Sequence, residues 1–387
     1  MYDGSVMGVA YHNAGLAGFR TTTDMITSLD GRIPLNYLRN PFPNGYLEPG
    51  GSRPGPTSGP NTLLGQSITD GWFIDYVNPV IQQWNVNVQR EFPGQLVIEA
   101  GYVANKGNHL IDGETNQYNQ LTANYLPLGD SMNNLVDNPF YGVIQDSTSA
   151  LSQPRVQTRQ LLRPRPQYTG LSPNLMPMAN SIYHAFTLRV EKRLSRGLGF
   201  LLAYTGGKAI SDAEGNSFFN EGGASTRQDV YNRLADRSVA SQDVASRLVL
   251  SSSFEFPFGR GRRYLSGSHP VTDAIVGGWQ VNSLMTLQSG LPVIMYQSFN
   301  NTGLGNSAQR PNNSGKSARL SGGTKDQRLN SWFDTSAFSV APAFTFGNAP
   351  RVLPDVRHPG VRNFDLSLFK TFQVIRERLR AQFRAEA

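Results

Sequence analysis

At 387 residues the chain is long enough for two or three soluble domains, yet only 16% of its residues are charged while 10% are aromatic, and the mean hydropathy is −0.36. That aromatic content excludes a disordered chain, the irregular glycines exclude collagen, and zero cysteines exclude disulfides, thiolate nucleophiles and cysteine metal sites. The net charge of +7 is carried by singly scattered basic residues rather than a basic tail, which argues against nucleic acid as a partner.

Taken in chain order, Met1-Tyr2-Asp3-Gly4 lacks the charged and apolar regions of an export signal, and no run approaches the roughly 18 apolar residues of a transmembrane helix. Residues 1–77 read mainly as a loop punctuated by Pro41-Phe42-Pro43-Asn44-Gly45 and Pro54-Gly55-Pro56, with one expected strand over Gly18 to Ile26. From 78 onward the signal is period two. Trp84, Val86 and Val88 alternate with Asn85, Asn87 and Gln89; after Pro93-Gly94 the pattern resumes with Leu96, Ile98, Ala100 and Tyr102. A second hairpin pairs Phe186, Leu188 and Val190 with Leu198, Phe200, Leu202 and Tyr204 across Leu194-Ser195-Arg196-Gly197. A third runs from Leu248, Leu250 and Phe254, through a connection from Pro257 to Gly278, to Trp279, Val281, Met285 and Leu287. A fourth joins Phe364, Leu366 and Leu368 to Leu379, Ala381 and Phe383.

Between hairpins lie long Gly/Asn/Ser/Pro segments, Asn105 to Asn180, Gly206 to Ala245 and Leu291 to Val361. Loops of that length are uncommon in compact soluble domains. Short turns at one end, long loops at the other and apolar-out, polar-in strands are the pattern of an antiparallel transmembrane β-barrel. The expected fold is therefore all-β: about nine strands of such a barrel, with long external loops and short periplasmic turns. Alternate residues then meet outer-membrane lipid and a watery lumen, while the backbone pairs with itself. Tyr102, Tyr204, Phe254, Phe256 and Trp279 are the expected aromatic girdle. A soluble sandwich, whose apolar faces meet a second sheet, is the competing reading.

Periodicity puts Arg189, Glu191, Arg380, Arg384 and Glu386 on the lumen face, either as contacts for substrate or as ladder partners of one another. Trp332, Phe333 and Phe344, with Phe346 nearby, are candidate ligand contacts in the loops, or pack the loops together. His12, His109, His184, His269 and His358 are widely separated, no catalytic or phosphate-loop motif occurs, and no cofactor or metal is expected. Gly259-Arg260-Gly261-Arg262-Arg263 reads as a solvated turn.

An ordered series of strings adds a resemblance. Asn40-Pro41-Phe42-Pro43-Asn44-Gly45, Gln82-Gln83-Trp84-Asn85, Glu191-Lys192-Arg193, Phe256-Pro257-Phe258-Gly259-Arg260-Gly261, Gly277-Gly278-Trp279-Gln280, Trp332-Phe333-Asp334 and Phe364-Asp365-Leu366-Ser367 span nearly the whole chain. The chain resembles the barrel of Oar-like TonB-dependent receptors that carry a carboxypeptidase-regulatory domain. The resemblance implies a cell outer-membrane transporter of about 22 strands, energised by the TonB complex through a plug and inserted by the barrel-assembly machinery. The expectation is an internal-to-C-terminal portion of such a barrel, without plug or signal peptide, serving uptake of a ligand and doing no covalent chemistry. The alternative is a secreted or surface β-rich protein binding carbohydrate through exposed aromatics such as Trp332 and Tyr46.

Overall fold

The computed structural model describes residues 23–48, 64–69, 77–112, 118–144, 146–172, 176–213, 227–305, 308–375 and 379–387. Eight strands form one antiparallel sheet: β1 (Val80–Phe92), β2 (Leu96–Asp112), β3 (Met176–Ser195), β4 (Leu198–Ser211), β5 (Ser246–Glu255), β6 (Trp279–Gln288), β7 (Val361–Ile375) and β8 (Leu379–Glu386). Each strand pairs with its neighbours in sequence, and a two-residue strand, Ser238–Val239, adds to the end of β4. The sheet is open among the described residues, with β1 and β8 at its edges. Of the strand expected over Gly18 to Ile26, residues 18–22 lie outside the described residues and residues 23–26 carry no strand.

One end of the sheet has the tight connections. Arg196 and Gly197 (φ +52° and +83°) form a two-residue hairpin loop whose left-handed residues match the strand twist. At the other end several strands outrun their alternation. β2 continues to Asp112 and β4 to Ser211, so Tyr102 and Tyr204 lie within their strands, whereas Phe254 and Trp279 occupy strand ends.

Register turns eight separate alternations into one surface. A row of cross-strand partners reads Val88, Ala100, Leu188, Tyr204, Leu248, Leu287, and the next on the same face reads Ile98, Val190, Leu202, Leu250, Met285, Phe364. The intervening row, facing the other way, reads Gln89, Glu99, Arg189, Ala203, Val249, Thr286, Asn363. The apolar face is uncovered: Val86, Val88 and Phe364 are 64%, 69% and 61% exposed. A sandwich would bury these side chains against a second sheet, which their exposure contradicts.

Basic residues bound the apolar band, and their positions reveal its slant. On the long-loop side stand Lys106 of β2 and Arg362 of β7; the row of Arg362 crosses β2 at Ala100, six residues from Lys106. On the turn side stand Arg90 of β1 and Lys370 of β7; the row of Arg90 crosses β6 at Met285, six residues from Trp279, the partner of Lys370. A slide of six residues over five or six strand steps, with a rise of about 3.4 Å and a spacing of about 4.8 Å, corresponds to a strand tilt of about 35–40°. Transmembrane barrels have this tilt.

The packed core lies in the long connections, which fold into a cap. Leu121, Met132 and Leu304 form one buried cluster, Ile144, Leu151 and Val156 a second, and Met295, Ala337, Leu353 and Val356 belong to a third. These cores are small, and charge supplements them. Asp236, 1% exposed, takes Arg227 Nε at 2.9 Å and lies 3.4 Å from Arg310 Nη1, while Arg351 donates to the Asp236 carbonyl and to that of Ser211 at the end of β4. Asp243 accepts from Arg357 at 2.5 Å and from the Ala209 backbone N–H at 2.6 Å, tying a second ion pair to β4.

Two outcomes follow from this architecture. Leu188→Arg or Leu250→Arg, on the apolar face, is expected to cost about 2–4 kcal/mol when folding is measured in lipid vesicles, whereas Thr187→Arg on the polar face is expected to be tolerated; equal losses at 187 and 188 would contradict the assignment of faces. Asp236→Asn strands buried guanidinium charge and is expected to cost the cap about 3–5 kcal/mol. Limited proteolysis under urea should then cleave 227–245 early while the strand signal in circular dichroism persists, and unchanged protease resistance would contradict a supporting role for this node.

Candidate functional site

Two surfaces can meet a solute. The first is the polar face of the sheet. Arg189 and Glu191 lie there on β3, their side chains paired at 2.7 Å and both at least 36% exposed. Arg189 stands across from Glu99, an arrangement that offers a second carboxylate. Arg384 lies on the same face of β8 with its guanidinium 4.9 Å from the Phe369 ring and Nε donating to Gln382 at 2.8 Å, and Glu386 stands opposite Ser367. Arg380 is in register with Gln373; its side chain lies outside the described residues. The two groups share a face but not a site: β4, β5, β6 and β7 separate β3 from β8, about 24 Å at roughly 4.8 Å per strand along a flat path.

The second surface is a cleft of about 460 Å³ in the cap, between residues 228–237 and 346–350. Its floor is built by Gln228. The Gln228 side-chain oxygen accepts from the backbone N–H groups of Arg310 (2.8 Å) and Gly347 (3.0 Å), and its amide donates to the Gly347 carbonyl at 2.9 Å. Gly347 permits this approach, since a Cβ there would collide with the Arg310 carbonyl. One wall is held by Asp229, which accepts from Gln120 at 3.1 Å and from the Tyr231 N–H at 3.0 Å. Tyr231 in turn donates to the Gln120 carbonyl at 3.0 Å; burial first, and then the Asp229 carboxylate, pushes its hydroxyl above the ordinary tyrosine range. Asn232, Arg237 and Asn348 line the cleft and are exposed, and Phe346 adds an apolar surface. The arrangement offers amide, guanidinium and ring contacts to a polar ligand. Nothing in the loop sequence pointed to Asn232, Arg237 and Asn348 together, because 228–237 and 346–350 have no periodicity to align them; Gln228 does so through tertiary hydrogen bonds.

The loop aromatics are placed in different surroundings. Phe344 and Phe346 pack against the Leu121, Met132 and Leu304 cluster, and Phe333 packs against the cluster containing Leu353. Trp332 is 38% exposed, with its indole N–H on the Arg357 carbonyl at 2.7 Å. Deeper in the cap, burial and then the neighbouring Arg159 push the Arg163 guanidinium down to about 10. It donates to the Thr169 carbonyl at 2.7 Å, beside the strand pair that joins Ser67–Thr69 to Gly170–Ser172.

The histidines do not converge. His184 Nδ1 lies 2.6 Å from the Tyr102 hydroxyl, His269 accepts from the Val271 N–H, and His12 lies outside the described residues. Among the described residues no group of three His, Cys, Asp or Glu side chains is arranged to hold a metal ion.

Among solved structures the chain is similar to the outer-membrane transporter YddB from Escherichia coli, at 9% identity over 81% of this chain and 29% of that one, with a TM-score of 0.36. It is also similar to FpvA of P. aeruginosa, solved with heterologous pyoverdines, at 11% identity over 78% of this chain and 22% of that one, with a TM-score of 0.30. The chain thus spans less than a third of the length of either. No curated protein matches it. The family described as outer membrane beta barrel domain matches residues 1–387. With a staggered antiparallel sheet that is apolar on one face and polar on the other, the chain belongs to this outer-membrane β-barrel family and resides in the outer membrane.

Proposed function

We propose that the chain forms a section of the wall and the external cap of a TonB-dependent transporter that takes up a polar ligand across the outer membrane. The observation that carries the reading is the union of an uncovered apolar band on one face of the sheet with a folded, cleft-bearing cap at one end. A barrel wall needs the first, and selective capture needs the second. In this reading the cleft at Asn232, Arg237 and Asn348 makes early contact with the ligand, and Trp332 offers a further exposed ring. Phe333 and Phe344 hold the cap in shape beneath it. Arg189, Glu191, Arg380, Arg384 and Glu386 line the lumen, where they meet either the ligand or a plug supplied by another part of the protein. The TonB complex acts on that plug, the barrel-assembly machinery inserts the wall, and the protein binds and conducts without covalent chemistry.

The test uses cells in which the full-length gene is deleted and restored. Uptake of the ligand found by growth screening is expected to return with the unaltered gene and to stop on adding an uncoupler, while surface binding persists. With Asn232→Ala and Arg237→Ala combined, the outer-membrane amount should stay constant while binding falls about tenfold, as expected for losing one or two hydrogen bonds to a charged or polar group. Uptake indifferent to the uncoupler would exclude energised transport; binding indifferent to the double substitution would move the ligand site elsewhere.

A further inference from the structure

Sequence gives Gly259 to Arg263 as a solvated turn, and its arginines are exposed; the structure adds a position for the whole connection between β5 and β6, residues 256–278. It contains the helix Pro270–Val276, whose last carbonyls need donors from outside the helix. Two side chains supply them. Trp279 Nε1 donates to the Ile275 carbonyl at 2.9 Å, and Lys370 Nζ donates to the same carbonyl at 3.1 Å and to that of Gly277. Trp279 and Lys370 are cross-strand partners in a row of the apolar face. The helix end is therefore drawn onto the lipid side of the wall, beside the band and not beneath the lumen. Lys370 is 3% exposed, with its ammonium 5.1 Å and 5.2 Å from the ring centroids of Trp279 and Phe372, so a single cation binds strand, ring and helix end together.

What the connection presents outward is two-sided in chemistry. Val271 and Ile275, one helical turn apart, are 63% and 66% exposed, and Tyr264 and Leu265 are also exposed. Arg260, Arg262 and Arg263 are exposed in the same connection, where Asp273 is the sole acidic residue and is engaged by the Arg260 backbone N–H at 2.6 Å. Arg262 pairs with Glu255 at 2.7 Å, and the Arg263 guanidinium lies 5.4 Å from the Tyr264 ring centroid. A short apolar helix face, an aromatic ring and a surplus of guanidinium groups at the margin of a lipid-facing band match the headgroup layer of a bilayer.

We propose that residues 256–278 form an interfacial anchor that docks on anionic phospholipid headgroups of the leaflet at the turn end of the wall. Val271 and Ile275 enter the acyl boundary, and the arginines meet phosphate. Lipid is favoured over a protein occupant because Trp279 and Lys370 fix the helix on the face that carries the exposed apolar rows, so lipid already lies alongside it.

The absence of cysteine from these 387 residues makes site-specific spin labelling direct. The full-length protein, with any cysteine elsewhere replaced by serine, is reconstituted in vesicles of phosphatidylethanolamine and phosphatidylglycerol and labelled singly after Val271→Cys, Ile275→Cys or Ser266→Cys. Labels at 271 and 275 are expected to collide with oxygen and to lose access to a water-soluble nickel chelate, while the label at 266 keeps that access. In vesicles lacking phosphatidylglycerol, or after Arg260→Gln, Arg262→Gln and Arg263→Gln together, the labels at 271 and 275 should become shallower; unchanged depth in both would overturn the role of anionic headgroups. Free nickel access at 271 and 275 in lipid would overturn the anchor altogether, and protection regained only in whole envelopes would assign the surface to a protein partner. Lys370→Met, checked for a retained heat-dependent shift in gel mobility, should release the label at 275 to water; no change there would remove Lys370 from the device.

Discussion

Everything in this chain depends on a backbone that must satisfy its own hydrogen bonds where water is absent. The sheet meets that demand strand by strand, and pairing then imposes a second condition. Side chains alternate with period two, so a slip of one residue anywhere would turn all later apolar side chains toward the wrong solvent. Rows such as Val88, Ala100, Leu188, Tyr204, Leu248, Leu287 show register held through six strands despite five connections of very unequal length. Face and register are thus one property, and the placement of Arg189 and Glu191 opposite the band is a consequence of it.

The cap solves the reverse problem. It lies in water, but its sequence is too rich in Gly, Asn, Ser and Pro to supply one large apolar core, and three small clusters share the task. Buried arginines compensate. Arg227 and Arg310 converge on Asp236 from separate segments, and Arg351 extends the network to the end of β4. Such groups give geometric definition more than net stability, because desolvation offsets much of their Coulomb attraction. Definition is what a cleft made from two distant loops requires, and Gln228 joins those loops through the backbones of Arg310 and Gly347.

Legibility in the sequence followed the same divide. Strands were readable wherever one face was apolar and the other amide or charged, as from Trp84 to Gln89 or Leu198 to Tyr204, and all four hairpins stand in the sheet. Strand ends were less readable: Lys106 to Asp112 and Gly206 to Ser211 mix Gly, Asn, Lys and Ser, yet the ladder carries them onward as strand. The cap node and the cleft were not readable at all, since Arg310 meets Arg227 and Asp236 only after two loops close on each other. The basic string from Gly259 to Arg263 was visible, but its position on the lipid side depends on Lys370, more than a hundred residues away.

The paired basic boundaries also carry a length. On β7 Arg362 and Lys370 lie eight residues apart, which at about 3.4 Å per residue is about 27 Å of strand and, at a tilt of about 35–40°, about 21 Å along the membrane normal. That is close to the roughly 25 Å height of the apolar band of outer-membrane barrels and well short of an average bilayer core of about 30 Å. A thicker membrane would draw both cations into hydrocarbon, or force the bilayer to thin around the wall. The spacing of two side chains therefore matches this wall to a thin membrane, the kind that bounds the outside of the cell.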